Sequence, residues 1–115
     1  MARADPGGAN WFESMSRWWL LEAGLPRPAL QVPFTGDGGY AEVDMWFPGR
    51  RTVGEADGAG KYDRMGALFA EKRREDWLRD RHGVEVVRWV PEEMRTPRAR
   101  AGVVDRFERA FARRC

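Results

Sequence analysis

The spacing of apolar positions changes period along the chain, and each change predicts an element. Residues 11–23 carry Trp11, Met15, Trp18, Trp19 and Leu21 at near-helical spacing. Gly24, followed by Pro26 and Pro28, stops a helix there. Residues 29–34 (Ala-Leu-Gln-Val-Pro-Phe) predict a short strand, and Pro33 assigns it to an edge or a strand end. Residues 40–47 and 52–57 predict a hairpin around Pro48-Gly49-Arg50-Arg51. Residues 63–81 are dominated by good helix formers and predict the long helix, which Gly83 ends. Residues 84–90 are rich in β-branched side chains and predict the clearest strand. Residues 91–98 read as a connection and residues 100–113 as an amphipathic helix, with Val103, Val104, Phe107 and Phe111 inward. The expected core includes Trp19, Leu68, Phe69, Leu78, Val86 and Phe107. The run from Glu71 to Asp76 in the long helix reads as a solvated charged face.

The predicted order is α-β-β-β-α-β-α, an α/β fold with a mixed central sheet flanked by helices. Strands 52–57 and 84–90 are joined through a helix and therefore run parallel, with that helix crossing one face of the sheet. A chain of 115 residues suits one domain, here residues 11–115, preceded by a flexible leader or linker remnant over residues 1–10. Hydrophobic residues make up 43% of the chain and charged residues 33%, enough apolar material for a core.

Charge changes this picture through its pattern rather than its total. The 20 basic and 18 acidic residues nearly cancel, yet the basic ones are Arg except for Lys61 and Lys72. Arg suits bidentate phosphate contacts, although GC-rich coding also favours it. The lone Cys115 excludes a disulfide framework and a Cys metal site. His82, beside Gly83, reads as a helix-end residue. No apolar run is long enough for a membrane span, and the polar first residues show no signal peptide, so a cytoplasmic location is expected.

The hairpin carries the candidate chemistry. A loop centred on Gly49-Arg50 brings Asp44 opposite Glu55. Directly opposed Cβ atoms lie roughly 4.5–5.5 Å apart, where like charges repel. Alternation puts Asp57 on the same face as Glu55. Two readings are open at this stage: a divalent cation held between the acids, or a solvated face whose acids meet water or Arg. For Asp57 the plain reading is Asp-Gly turn chemistry, for Lys61 an exposed loop residue, and for Arg88 a simple ion pair.

An acid ending one strand, Glu-x-Asp on the next, a helix and a further parallel strand resembles the PD-(D/E)XK nuclease core. More specifically, the chain resembles a bacterial family of uncharacterised domains related to the very-short-patch-repair endonuclease. The resemblance is carried by Glu13-Ser-Met-Ser-Arg17, Gly24-Leu-Pro-Arg-Pro28, Leu30-Gln-Val32, Val43-Asp44, Val53-Gly-Glu-Ala-Asp-Gly58 with Lys61-Tyr62, Glu71-Lys-Arg-Arg-Glu75, Leu78 and Val86-Val-Arg-Trp89. It implies a restriction-endonuclease-like fold and a Mg²⁺- or Mn²⁺-dependent endonuclease. Asp44 and Glu55 match the metal-binding acids, Glu13 the additional helical acid, and Gln31 a polar residue on the first strand. Asp57 falls where the motif usually has Lys, so Lys61, Lys72 or Arg74 is expected to supply the missing positive charge.

The resulting expectation is hydrolysis of phosphodiester bonds in nucleic acid, DNA first, at low or partner-dependent activity. Catalysis is assigned to Glu13, Asp44, Glu55, Asp57 and Lys61, and metal binding to Asp44 and Glu55. Gln31, Lys72, Arg73 and Arg74 are assigned to nucleic acid. A second class stands beside it: an inactive nucleic-acid-binding or antitoxin-like regulatory module on the same fold. Such domains also occur fused to a DNA-binding partner domain. The six Trp leave a protein-interaction domain as a third class.

Overall fold

The computed structural model describes residues 9–36, 38–57 and 65–114. Among them the elements run α1 (Ala9–Glu22), β1 (Ala29–Gly36), β2 (Gly39–Phe47), β3 (Thr52–Ala56), α2 (Met65–His82), β4 (Glu85–Trp89) and α3 (Pro97–Arg113). One sheet has the strand order β1-β2-β3-β4, antiparallel except for the parallel pair β3–β4. The expected leader lies outside the described residues up to residue 8, and α1 takes in Ala9 and Asn10. No helix among the described residues is long and apolar enough to cross a membrane.

Local chemistry explains the element ends. Pro33 lies in β1, an edge strand, where a missing N–H is tolerated. α3 starts a turn earlier than expected because Thr96 caps it, its hydroxyl accepting the Ala99 N–H at 3.0 Å, with Pro97 in the first turn. The β2–β3 connection is a 3₁₀ turn at Pro48–Arg50, closed by Arg51 in the left-handed region at φ 47°. Arg51 is held there from three sides. Its carbonyl accepts the Glu85 N–H at 2.9 Å, its guanidinium reaches the His82 carbonyl, and it lies 5.6 Å from the Trp46 ring centre.

The sheet separates two cores. α1 and α3 cover one face, where Phe12, Leu20, Met45, Phe47, Ala56, Val87, Trp89 and Phe107 pack together. On the other face α2 packs Leu78 against Ala41, Val43, Val53 and Val84. Gly54 lets α3 approach closely, since a Cβ there would stand 3.0 Å from the Phe107 ring.

β2 contributes to both cores, which a regular strand cannot do with Ala41, Val43, Met45 and Phe47. Alternation would keep these four residues on one face. Ala41 and Val43 instead pack with Leu78, whereas Met45 and Phe47 pack with Phe107. The phase therefore changes at Asp44. On β1 the rung opposite Asp44 is also broken: Leu30 pairs with Met45 and Val32 with Val43, while Gln31 between them has φ 52°. The hairpin curls at this rung. In a straight strand Trp46 would lie about 17 Å along from the Phe34 rung, yet the two rings are 5.1 Å apart.

Several core expectations need correction. Leu78 and Phe107 are fully buried, and Trp19 and Val86 pack against the two cores half-buried. Leu68 and Phe69 are instead 47% and 62% exposed. At 100° per residue, Met65, Leu68 and Phe69 centre on the side of α2 opposite to Trp77 and Leu78. Burying the second patch leaves the first outside. In α1 the buried stripe is Phe12, Ser16 and Leu20, while Trp11 and Trp18 face solvent. Ser16 is buried because its hydroxyl accepts the Trp89 indole N–H at 2.9 Å.

Leu78→Ala should lower unfolding stability by about 2–5 kcal/mol, whereas Phe69→Ala should change it by less than about 0.5 kcal/mol. Denaturant midpoints of the two variants check the assignment, and equal losses would contradict it.

Candidate active site

The kink that redirects β2 also gathers acids. The β2–β3 ladder has the predicted register but ends at the Met45–Gly54 pair, and Asp44 and Glu55 follow just beyond it. Side chains take over the main-chain donors there. The Asp44 N–H donates to Glu55 Oε2 at 3.2 Å, and the Ala56 N–H donates to Asp44 Oδ2 at 2.9 Å. Glu13 arrives from α1, one residue after the buried Phe12 that fixes the helix against the sheet. It shares a hydrogen bond with Asp44 and accepts another from Gln31 Nε2 at 3.2 Å. The left-handed backbone of Gln31 thus turns its amide toward α1.

Three carboxyl groups therefore meet: Glu13, Asp44 and Glu55. Burial, then the Asp44 charge and hydrogen bond, then the Glu55 charge push Glu13 up to about 7, against the Gln31 amide. Burial also pushes Glu55 up to about 7; the Asp44 charge adds to this, while the Arg74 guanidinium and the Asp44 N–H oppose it. Two groups that ordinarily titrate near 4.5 are thus tuned to neutrality, as is typical of acid–base and cation sites.

Asp57 does not join them. It is buried, and Arg88 Nη1 donates to both its carboxylate oxygens, at 3.1 and 3.2 Å. Arg88 is further tied to Glu75 Oε1 at 2.9 Å and to Glu71. Burial works against the Arg88 charge, but the Glu75 hydrogen bond and the Asp57 and Glu71 charges outweigh it and raise its pKa. Arg74 closes the network toward the acids: Nη1 donates to Glu55 Oε1 at 3.2 Å and to Glu71 Oε2 at 3.0 Å, and Nη2 to the Glu42 carbonyl at 2.9 Å.

The charged run of α2 is therefore divided rather than solvated throughout. Glu71, Arg74, Glu75 and Leu78 follow i, i+3, i+4, i+7 spacing and face the sheet together. That spacing is the signal that could have revealed Arg88 and its partners beforehand. Lys72 points away and meets Asp76 at 3.4 Å in an exposed pair, and Arg73 is exposed. Neither stands at the acids. Lys61 lies outside the described residues.

The donor set suits a hard divalent cation: three carboxylates whose mutual repulsion such an ion would relieve. Among the described residues, however, no group of three or more acidic, His or Cys side chains is already arranged to hold a metal ion. Glu55 would meet such an ion while Arg74 donates to its Oε1 and the Asp44 N–H to its Oε2.

Comparison with protein-family models, curated proteins and solved structures gives no match to this chain.

The raised acids set a pH dependence. Between about pH 4.5 and 7 the folded state holds more protons at Glu13 and Glu55 than the unfolded chain does. Their contribution to stability is therefore present at low pH and lost as pH rises through this window. The thermal midpoint of the metal-free chain should fall by a few degrees between pH 5 and 8. Asp44→Asn should flatten the fall, since it removes a charge that raises both groups. A midpoint that rises equally over this range in both proteins would contradict the cluster.

Proposed function

We propose that the chain is a metal-dependent phosphodiesterase of the restriction-endonuclease-like class, acting on nucleic acid, and related to the very-short-patch-repair endonuclease. The observation that carries this reading is the meeting of Glu13, Asp44 and Glu55 at the kinked rung, with Glu13 and Glu55 poised near pH 7. Acids from a helix and two adjacent strands, on an α-β-β-β-α-β-α chain with a parallel β3–β4 pair, are what the resemblance implies.

Asp44 and Glu55 would hold Mg²⁺ or Mn²⁺. When bound, such an ion polarises a phosphoryl oxygen and lowers the pKa of a coordinated water. The chain's own residues do the rest. Glu13 is the more open of the two raised acids, and near pH 7 it can accept the proton of an attacking water. Gln31 orients Glu13 through its amide. Arg74, already beside Glu55, is the cation best placed to meet negative charge growing on phosphate. It fills the role that the absent motif Lys leaves open, more directly than Lys72 or Arg73.

One observation favours the second reading, an inactive nucleic-acid-binding or regulatory module. Asp57 is locked by Arg88 at the position of the motif Lys, and Glu55 is engaged by Arg74.

Cleavage assays decide between the readings. The purified chain should cut single-stranded, double-stranded or mismatched DNA, or RNA, with Mg²⁺ or Mn²⁺. Asp44→Asn and Glu55→Gln should each lose about 10²-fold or more, and Arg74→Gln about 10²-fold, the scale for removing one preorganised electrostatic group. Cleavage that survives in both acid variants would defeat the nuclease reading. Binding that persists in EDTA without any cleavage would establish the module instead.

A further inference from the structure

A second cluster of charge lies away from the acids, between α3 and the outer edge of β4. A cleft of about 180 Å³ there is lined by Val86, Val87, Arg88, Arg106, Arg109 and Arg113. No lining residue is acidic, and Arg106, Arg109 and Arg113 supply the guanidiniums, since that of Arg88 is taken up by Asp57, Glu71 and Glu75. Arg106, Arg109 and Arg113 follow i, i+3, i+7 spacing, which sets them along one side of α3.

The strand adds directed donors. β4 ends the sheet. The Glu85 N–H bonds to the Arg51 carbonyl, and the Trp89 carbonyl accepts the Asp57 N–H, so Glu85 and Trp89 turn toward β3. In a parallel ladder the main-chain groups of the alternate residues, Val86 and Arg88, then turn outward. Their carbonyls are already covered: Arg79 donates to Val86 O at 3.3 Å and Arg106 to Arg88 O at 2.5 Å. The edge therefore presents N–H donors beside capped carbonyls. That arrangement resists an added β-strand, which needs both groups, and suits an anion.

The guanidiniums are anchored without being used up. Arg106 is tied to Glu93, Arg109 Nη1 meets Asp105 Oδ2 at 2.9 Å, and Arg113 Nε meets Glu85 Oε1 at 3.0 Å. Glu85 is shared with Arg114 at 3.2 Å, so the three α3 guanidiniums of the cleft meet three anchoring acids, one of them shared with a further Arg, and what they offer a ligand is unused N–H donors rather than a large excess of charge. A guanidinium carries five N–H donors. Arg109 and Arg113, with side chains 64% and 58% exposed, keep donors for a ligand.

We propose that this cleft binds a tetrahedral phosphate oxyanion, held by the Arg109 and Arg113 forks and by outward N–H groups of β4. The ligand is a phosphodiester of a nucleic-acid strand or a free phosphate. Only the first of these sources rests on the function proposed above.

The test is two-dimensional NMR of the full chain in EDTA at constant ionic strength. Inorganic phosphate, sodium chloride and a single-stranded 12-nucleotide DNA are titrated separately. Phosphate should shift the Val86 and Arg88 amides and the Arg109 and Arg113 Nε–H signals saturably, whereas chloride should not. Arg109→Gln combined with Arg113→Gln should weaken the phosphate affinity at least tenfold. Saturation of the same amides at lower oligonucleotide concentration assigns the site to a nucleic-acid backbone. A response to phosphate alone assigns it to a small anion. Shifts that follow chloride and phosphate equally, or that persist in the double variant, overturn the site; the parent titration decides if the double variant does not fold. Asp44→Asn should leave these shifts in place, so failure of the cleft and failure of the nuclease reading are separate results.

Discussion

The exchange of main-chain partners at the Asp44 rung is the constraint on which the rest depends. Asp44 and Ala56 give their N–H groups to carboxylates where the β2–β3 ladder stops. Those bonds satisfy donors that would otherwise be lost at a partly buried break in the sheet. They also fix both acids by their main-chain contacts, so the carboxyl groups cannot simply rotate away from one another. Gln31 absorbs the matching break on β1 by adopting a left-handed backbone. A non-Gly residue in that region costs free energy and tends to persist where the surroundings over-determine it. The same kink that divides β2 between two cores therefore brings Asp44 to Glu13 and Glu55.

α2 follows a different logic. Its sheet-facing stripe is charged for two turns before it becomes apolar at Leu78. Buried ion pairs add little net stability, because desolvation offsets their attraction, but they are costly to break singly. The chain from Glu55 through Arg74 and Glu71 to Arg88 thus sets the register of the helix on the sheet more than its strength. Leu78 and the aromatic contacts of His82 with Phe34 and Trp77, at 5.0 Å each, hold the far end.

Much of this was legible in the sequence where one period dominates. The α3 pattern, the β-branched run of β4 and the Pro48-Gly49 turn each specify an element without tertiary help, and the turn fixes the Asp44–Glu55 register. The kink was not legible, since nothing in Leu30-Gln31-Val32 announces a left-handed Gln. The buried stripe of α1 was hidden by Ser16, a polar residue whose place depends on an indole 73 positions away. The two apolar patches of α2 were readable, but their opposition appears only when their helical angles are compared. Glu13 entered through resemblance alone, because its partners come from three other segments.

The Asp at position 57 is best understood together with Arg88. In the parallel register Glu55 pairs with Arg88 on the edge strand, which brings a guanidinium to the carboxylates of Asp57, Glu71 and Glu75. A Lys at position 57 would bring a second cation to that half-buried guanidinium. Its charge would be repelled where Asp57 now accepts two hydrogen bonds. Asp57 and Arg88 therefore act as one unit, in which the acid on β3 and the cation on β4 support each other, with Glu71 and Glu75 as further partners of the cation. The unit removes positive charge from the Asp44–Glu55 neighbourhood, because the charge of Arg88 is absorbed by Asp57, Glu71 and Glu75. Arg74 is then the one guanidinium among the described contacts that touches Glu55. Among the described residues, then, the positive charge at these acids comes from the helix, through Arg74, and not from the strand that carries Asp57.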